Sequence, residues 1–143
     1  MDKITINKFI NKIPLRIINN QKGNIYKIMN NKDSFFKKFG EVYFTSIKKN
    51  SVKAWRFHKK MTMNLVVPIG KVKFVFYIPK YDYYYVSEIG QNNYCLLNVK
   101  PKIWFAFKGL DKSPNLILNF SNIIHNDNEI LKKDLKEFNY PWN

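Results

Sequence analysis

Val52-Lys53-Ala54-Trp55-Arg56-Phe57-His58-Lys59-Lys60 opens a stretch, running on to Tyr77, whose reading decides the fold. Extended chain alternates its side chains, so Ala54, Arg56 and His58 are expected on one face and Trp55 and Phe57 on the other. A cation and one of only two histidines then point the same way. The same period returns in Lys71-Val72-Lys73-Phe74-Val75-Phe76-Tyr77, which puts Val72, Phe74 and Phe76 on one face before Pro79 closes the run. A second landmark follows at Lys100-Pro101-Lys102-Ile103-Trp104-Phe105-Ala106-Phe107-Lys108-Gly109.

Outward from these segments the period remains that of strands. Short runs at Ile25–Met29, Glu41–Ile47, Asn64–Val67, Tyr83–Val86, Tyr94–Val99, Trp104–Phe107 and Leu116–Phe120 are separated by turn signals at Lys22–Asn24, Pro68–Gly70, Gly90–Asn92 and Gly109–Pro114. Many short strands at near-regular spacing indicate an all-β sandwich or barrel, of which the jelly roll is one form. Helical signal is confined to Asp33–Gly40 and Asn128–Phe138, each long enough for a turn or two. The run Tyr81-Asp82-Tyr83-Tyr84-Tyr85 would suit base stacking in a nucleic-acid binder, but on an alternating strand it reads as core and edge packing.

The 143 residues suit a single domain spanning 1–143 with a sizeable core. No apolar run nears the ~18 residues that cross a bilayer, and Met1-Asp2-Lys3-Ile4-Thr5 lacks a signal-peptide layout, so a cytoplasmic protein without membrane contact is expected. Cys95 is the single cysteine, which excludes a disulfide framework and a cysteine zinc site and predicts a buried thiol. The net charge of +15 invites a nucleic-acid reading. Of the 25 basic residues, however, only Arg16 and Arg56 are arginine, the side chain whose planar fork reads phosphate and guanine, so nucleic acid is an unlikely partner.

The two landmarks resemble the signature segments of the dTDP-4-dehydrorhamnose 3,5-epimerase-like (RmlC-like) cupins. Lys53-Ala54-Trp55 matches the family's "KAW", and Phe39-Gly40-Glu41-Val42-Tyr43-Phe44-Thr45-Ser46 is similar to its "fGqvYxS" strand. Asn20–Tyr26 resembles the opening strand turn, Gly70-Lys71-Val72-Lys73 the "GxVK" turn, Leu118-Asn119 the late "LN", and Asn139-Tyr140-Pro141-Trp142 the closing "IPYDW". The resemblance covers most of the chain and implies a cupin jelly roll with short helical turns at its ends. It also implies a metal-free, cofactor-free homodimer acting on nucleoside-diphosphate 4-keto-6-deoxy sugars in surface-polysaccharide or lipopolysaccharide synthesis.

Such isomerases and epimerases abstract the acidic proton beside the carbonyl, which requires a base near neutral pKa, an acid, and a cation to steady the enolate. The resemblance assigns His58 as base, Arg56 as enolate or phosphate partner and His125 as candidate acid, with Lys53, Arg56, Tyr43, Phe105, Lys108 and Asn119 contacting substrate. It also shows departures. The first histidine of the family's "HxH" falls on Arg56, a later histidine on Phe105, the tyrosine acid on Asn119 and the enolate lysine near Met63. In metal-dependent cupins the four ligand positions would be Arg56, His58, Met63 and Phe105, which supply one ligand and predict no metal. From the residues alone, His58 reads as a hydrogen-bonded, partly buried histidine, Arg56 as a surface charge, and His125, in a polar turn, as a surface histidine. A silent cupin that binds a sugar nucleotide or serves as an assembly partner therefore stands beside the enzyme reading, with a basic nucleic-acid module as a remote third.

Overall fold

The computed structural model describes residues 1–112 and 114–143. A short helix, α1 (Lys3–Ile6), precedes β1 (Ile10–Pro14), β2 (Ile17–Ile18), β3 (Ile25–Tyr26), β4 (Glu41–Ile47), β5 (Val52–His58) and β6 (Met63–Ile69). Then follow β7 (Lys71–Ile78), β8 (Tyr83–Gly90), β9 (Cys95–Val99), β10 (Trp104–Gly109), β11 (Asn115–Ser121) and β12 (Ile130–Lys132). Two five-stranded antiparallel sheets, ordered β1-β9-β6-β11-β4 and β12-β5-β10-β7-β8, stack face to face, with β2-β3 as a small separate ribbon. Apart from the β7-β8 and β2-β3 hairpins, neighbours in space are distant in sequence, as in the jelly roll that the resemblance implied. Among the described residues no helix is long and apolar enough to cross a membrane.

Alternation builds the interior. Val72, Phe74, Phe76 and Ile78 of β7 meet Met63, Leu65 and Val67 of β6 and Leu97 and Val99 of β9 between the sheets. Cys95 is buried in this core as a free thiol, as expected. Tyr83 and Tyr85 pack against the same core while Tyr84 turns outward, so the tyrosine run is packing surface.

The outer faces are covered unequally. Over the second sheet, Trp55, Val75, Trp104 and Ala106 are buried beneath Phe138, Tyr140 and Trp142 of the C-terminal segment, with Phe138 edge-on to Trp55 at 5.2 Å between ring centroids. Over the first sheet, Val66, Tyr94 and Leu96 are covered by Ile17, Ile28, Met29 and Phe35. Its β4 edge is left open: Phe39, Val42 and Phe44 are 61%, 46% and 60% exposed.

Several local expectations differ from the structure. Asp33–Gly40 forms hydrogen-bonded turns rather than a helix, and Gly40 serves a close approach, since a Cβ there would lie 2.2 Å from the Ile123 nitrogen. Asn128–Phe138 is not one helix but two 3₁₀ turns, Asp127–Glu129 and Leu135–Glu137, with β12 between them. Strands β1, β2 and β12 were not anticipated, because each is too short to show a period, β1 and β12 lying at sheet edges and β2 in the separate ribbon. Ser113, within the expected Gly109–Pro114 turn, lies outside the described residues.

Trp55 has no exposed surface and sits under three tail aromatics. Trp55→Ala is expected to cost about 3–5 kcal/mol in chemical denaturation. A loss below about 1 kcal/mol would mean that the C-terminal segment does not bury this ring in solution.

Candidate functional site

The site begins with an irregularity in β5. Arg56 pairs with Phe105 of β10 and Lys53 with Phe107, so two residues of β5, Ala54 and Trp55, lie opposite the single residue Ala106. Phe105 and Phe107 face the interior, and paired residues share a face, so Lys53, Arg56 and His58 face inward. Both Ala54 and Trp55 turn to the outer aromatic cluster. The alternation therefore placed Arg56, His58, Trp55 and Phe57 as the structure has them, and misplaced Ala54, because the bulge shifts the register by one.

His58 is 5% exposed. Its Nδ1 is hydrogen-bonded to Glu129 Oε1, and its ring stacks on Phe105 with centroids 5.6 Å apart and planes 12° from parallel. Glu129 reaches it because the 3₁₀ turn Asp127–Glu129 leads directly into β12, where Ile130 lies opposite His58. The other carboxylate oxygen accepts the backbone N–H groups of Lys60 and Met61 at 3.0 and 3.2 Å. Burial raises the Glu129 pKa, but the hydrogen bonds from His58, Lys60 and Met61 and the attraction of the imidazole outweigh it and hold the carboxyl below its ordinary value. A carboxylate on Nδ1 keeps the proton there and leaves the Nε2 lone pair to act as a base, the arrangement by which a carboxylate orients a general-base histidine. Glu129 has no local sequence signal: it lies 71 residues from His58, joined only by the fold.

The first sheet supplies the facing groups. Asn119 of β11 pairs with Tyr43 of β4, and its Nδ2 donates to the Tyr43 hydroxyl at 3.0 Å. Its Oδ1 accepts the Asn64 N–H at 3.2 Å. Met61 lies buried between the two halves, its sulfur 3.8 Å from Asn119 Nδ2 and its backbone on Glu129. Tyr43, Asn119, Met61, Glu129, His58 and Phe105 thus form one contiguous inner surface.

The remaining candidates are placed as follows. Arg56 is exposed and its Nη1 folds back to the Ala54 and Trp55 carbonyls at 3.2 and 3.3 Å. Lys53 reaches across to the Ser46 carbonyl at 2.9 Å, bridging β5 and β4. Lys108 does not belong to the site. It follows inward-facing Phe107, turns to the outer face and donates to the Trp142 carbonyl at 3.0 Å. His125 is also separate, half-exposed in the turn after β11 with Nε2 3.1 Å from Asp127. Among the described residues no three histidine, cysteine, aspartate or glutamate side chains converge as a metal site would require.

The antiparallel jelly roll, with a histidine–carboxylate pair on its inner face, has the architecture of the cupins. No protein-family model and no curated protein matches the chain in sequence. Solved structures do match. A dTDP sugar isomerase from Desulfovibrio desulfuricans superposes with a TM-score of 0.89 at 27% identity, over 93% of this chain and 90% of that one. The sugar 3,4-ketoisomerase QdtA from Thermoanaerobacterium thermosaccharolyticum, solved with TDP, gives 0.75 at 19% identity over 87% and 88%. The dTDP-4-dehydrorhamnose 3,5-epimerase from Sulfolobus tokodaii gives 0.81 at 14% over 92% and 81%. The chain shares the RmlC-like cupin fold of these dTDP-sugar isomerases and epimerases.

Because Glu129 is depressed in the folded protein, its stabilisation is complete above the ordinary glutamate pKa of about 4.3 and is lost as pH falls through the lower folded value. Glu129→Gln takes up no proton there. It is expected to lose about 1–3 kcal/mol at neutral pH and to show a shallower acid decline in denaturation curves taken from pH 7 to pH 2. Parallel acid declines in the two proteins would overturn the assignment.

Proposed function

We propose that the protein is a metal-independent isomerase or epimerase of a nucleoside-diphosphate 4-keto-6-deoxy sugar, serving surface-polysaccharide synthesis in the cytoplasm. The observation that carries this reading is the inward-facing His58, fixed through Nδ1 by Glu129, in the fold of dTDP-sugar isomerases. In the proposed reaction His58 Nε2 takes the proton from the carbon beside the C4 carbonyl, and the C–H electron pair moves onto the carbonyl oxygen as an enolate. Arg56 and Lys53, the inward-facing cations of β5, meet the enolate and the diphosphate. Tyr43, whose hydroxyl is held by Asn119, carries the proton that can return from the opposite sheet. This replaces His125, which is committed to Asp127 at the surface. Return of the proton to the same carbon from the opposite face inverts it; after abstraction at C3, return to C4, with the C3 hydroxyl proton passing to the C4 oxygen, moves the carbonyl to C3.

A second reading has one observation in its favour. Phe105 stacks flat on His58 at the position where the family resemblance implied a histidine, and an apolar ring neither donates nor accepts a proton. A cupin that binds a sugar nucleotide without turning it over would tolerate that replacement.

Incorporation of deuterium from heavy water into dTDP-4-keto-6-deoxyglucose, followed by NMR, separates the two. The enzyme reading expects exchange at C3 or C5. His58→Asn is expected to abolish that exchange while ligand affinity changes by less than about tenfold, or 1.4 kcal/mol. Binding without exchange by the wild type would establish the silent cupin instead.

The homodimer is proposed on the open edge of the first sheet, where Phe39, Val42 and Phe44 form an apolar strip that a second copy would cover. Phe44→Glu is expected to convert a dimer to a monomer in light scattering without loss of the folded circular-dichroism spectrum. A wild type that is monomeric at micromolar concentration would remove the dimer from the proposal.

A further inference from the structure

A row of three asparagines crosses the outer face of the first sheet. Asn11 of β1, Asn98 of β9 and Asn64 of β6 are direct cross-strand partners. Asn98 and Asn64 are buried, at 7% and 4% exposure, on a face whose neighbouring positions are Val66 and Leu96. Burying amides among aliphatic side chains is unfavourable unless their polar atoms are met. Asn98 Nδ2 donates to Asn64 Oδ1 at 2.8 Å, and Asn64 Nδ2 to the Phe120 carbonyl at 3.1 Å. Asn11 Nδ2 donates to the Asn7 carbonyl at 3.1 Å. Each amide nitrogen thus has an acceptor, while Asn98 Oδ1 accepts no hydrogen bond among the described residues.

Asn11 and Asn98 line a hollow of about 420 Å³ between this sheet and the segment that covers it, together with Phe35, Lys37 and Lys100. No carboxylate lines the hollow, and neither lysine forms an ion pair among the described residues. Two free ammonium groups suit a dianionic phosphate ester, an unoccupied amide oxygen takes a hydroxyl, and an aromatic ring covers the apolar face of a pyranose. We infer that this hollow binds a small phosphorylated sugar, with the phosphate on Lys37 and Lys100 and a hydroxyl on Asn98. The site lies on the opposite side of the sheet from Asn119 and Tyr43, so it stands independently of the proposed reaction.

The test is NMR titration of the whole protein, reading the side-chain amide signals of Asn11, Asn64 and Asn98. Glucose 1-phosphate is expected to shift these signals saturably at about 150 mM salt, where contacts to exposed lysines alone are screened. Glucose is expected to leave them unmoved and inorganic phosphate to bind more weakly. Combined Lys37→Gln and Lys100→Gln substitutions should weaken glucose 1-phosphate about tenfold. Inorganic phosphate binding as tightly as the ester would overturn the sugar assignment. Shifts confined to the Lys53 and Arg56 groove, shifts that vanish with salt, or no shifts at all would overturn the site.

Discussion

A carboxylate shut inside a protein must be met by donors, and Glu129 is met by the His58 imidazole and the backbone N–H groups of Lys60 and Met61. Those contacts join three parts of the chain: the end of β5, the loop into β6, and the turn that begins β12. With Glu129 seated, the Glu129 carbonyl accepts the Lys59 N–H, and Trp55 and Lys133 exchange hydrogen bonds in both directions. The segment beyond β12 is then aimed across the outer sheet face, where Phe138, Tyr140 and Trp142 close over Trp55 and Trp104. One hydrogen-bonded histidine–carboxylate pair thus sets the histidine's orientation and the cover on the sheet behind it.

The bulge in β5 has comparable reach. A regular strand would have put Ala54 inside and Lys53 outside. With the extra residue, Trp55 remains in the outer cluster while Lys53 joins Arg56 and His58 on the inner face. The interior mouth therefore holds two fixed cations beside a histidine, a suitable field for a substrate with negative phosphates and a developing enolate. Lys108 could not join them, because the alternation of β10 commits Phe105 and Phe107 to the inside.

The fold was legible wherever a run was long enough to display its period. Glu41–Ile47 was delimited to the residue, and Val72, Phe74 and Phe76 face inward as the alternation predicted. The strands that escaped, β1, β2 and β12, are short, lie at sheet edges or in the two-stranded ribbon, and take their structure from a partner. At the site, the shared face of Arg56 and His58 could be read because it depends on neighbouring residues alone. Glu129 could not, since its role arises from a contact between segments 71 residues apart. The assignment of His125 rested on residue type, which carries no information about where a turn directs its side chain.

The sheet order has a consequence for synthesis. β5 cannot complete its ladder until β12 exists, and β1 waits for β9. Folding must close long loops before most native pairs form, which makes it slow compared with a helical chain of this length. During that interval Cys95–Val99 is an apolar strand whose partners β1 and β6 lie far off along the chain, the kind of segment that recruits other chains. A net charge of +15 spread over many lysines makes nascent copies repel one another, so the excess of basic residues acts as protection against aggregation before the jelly roll closes.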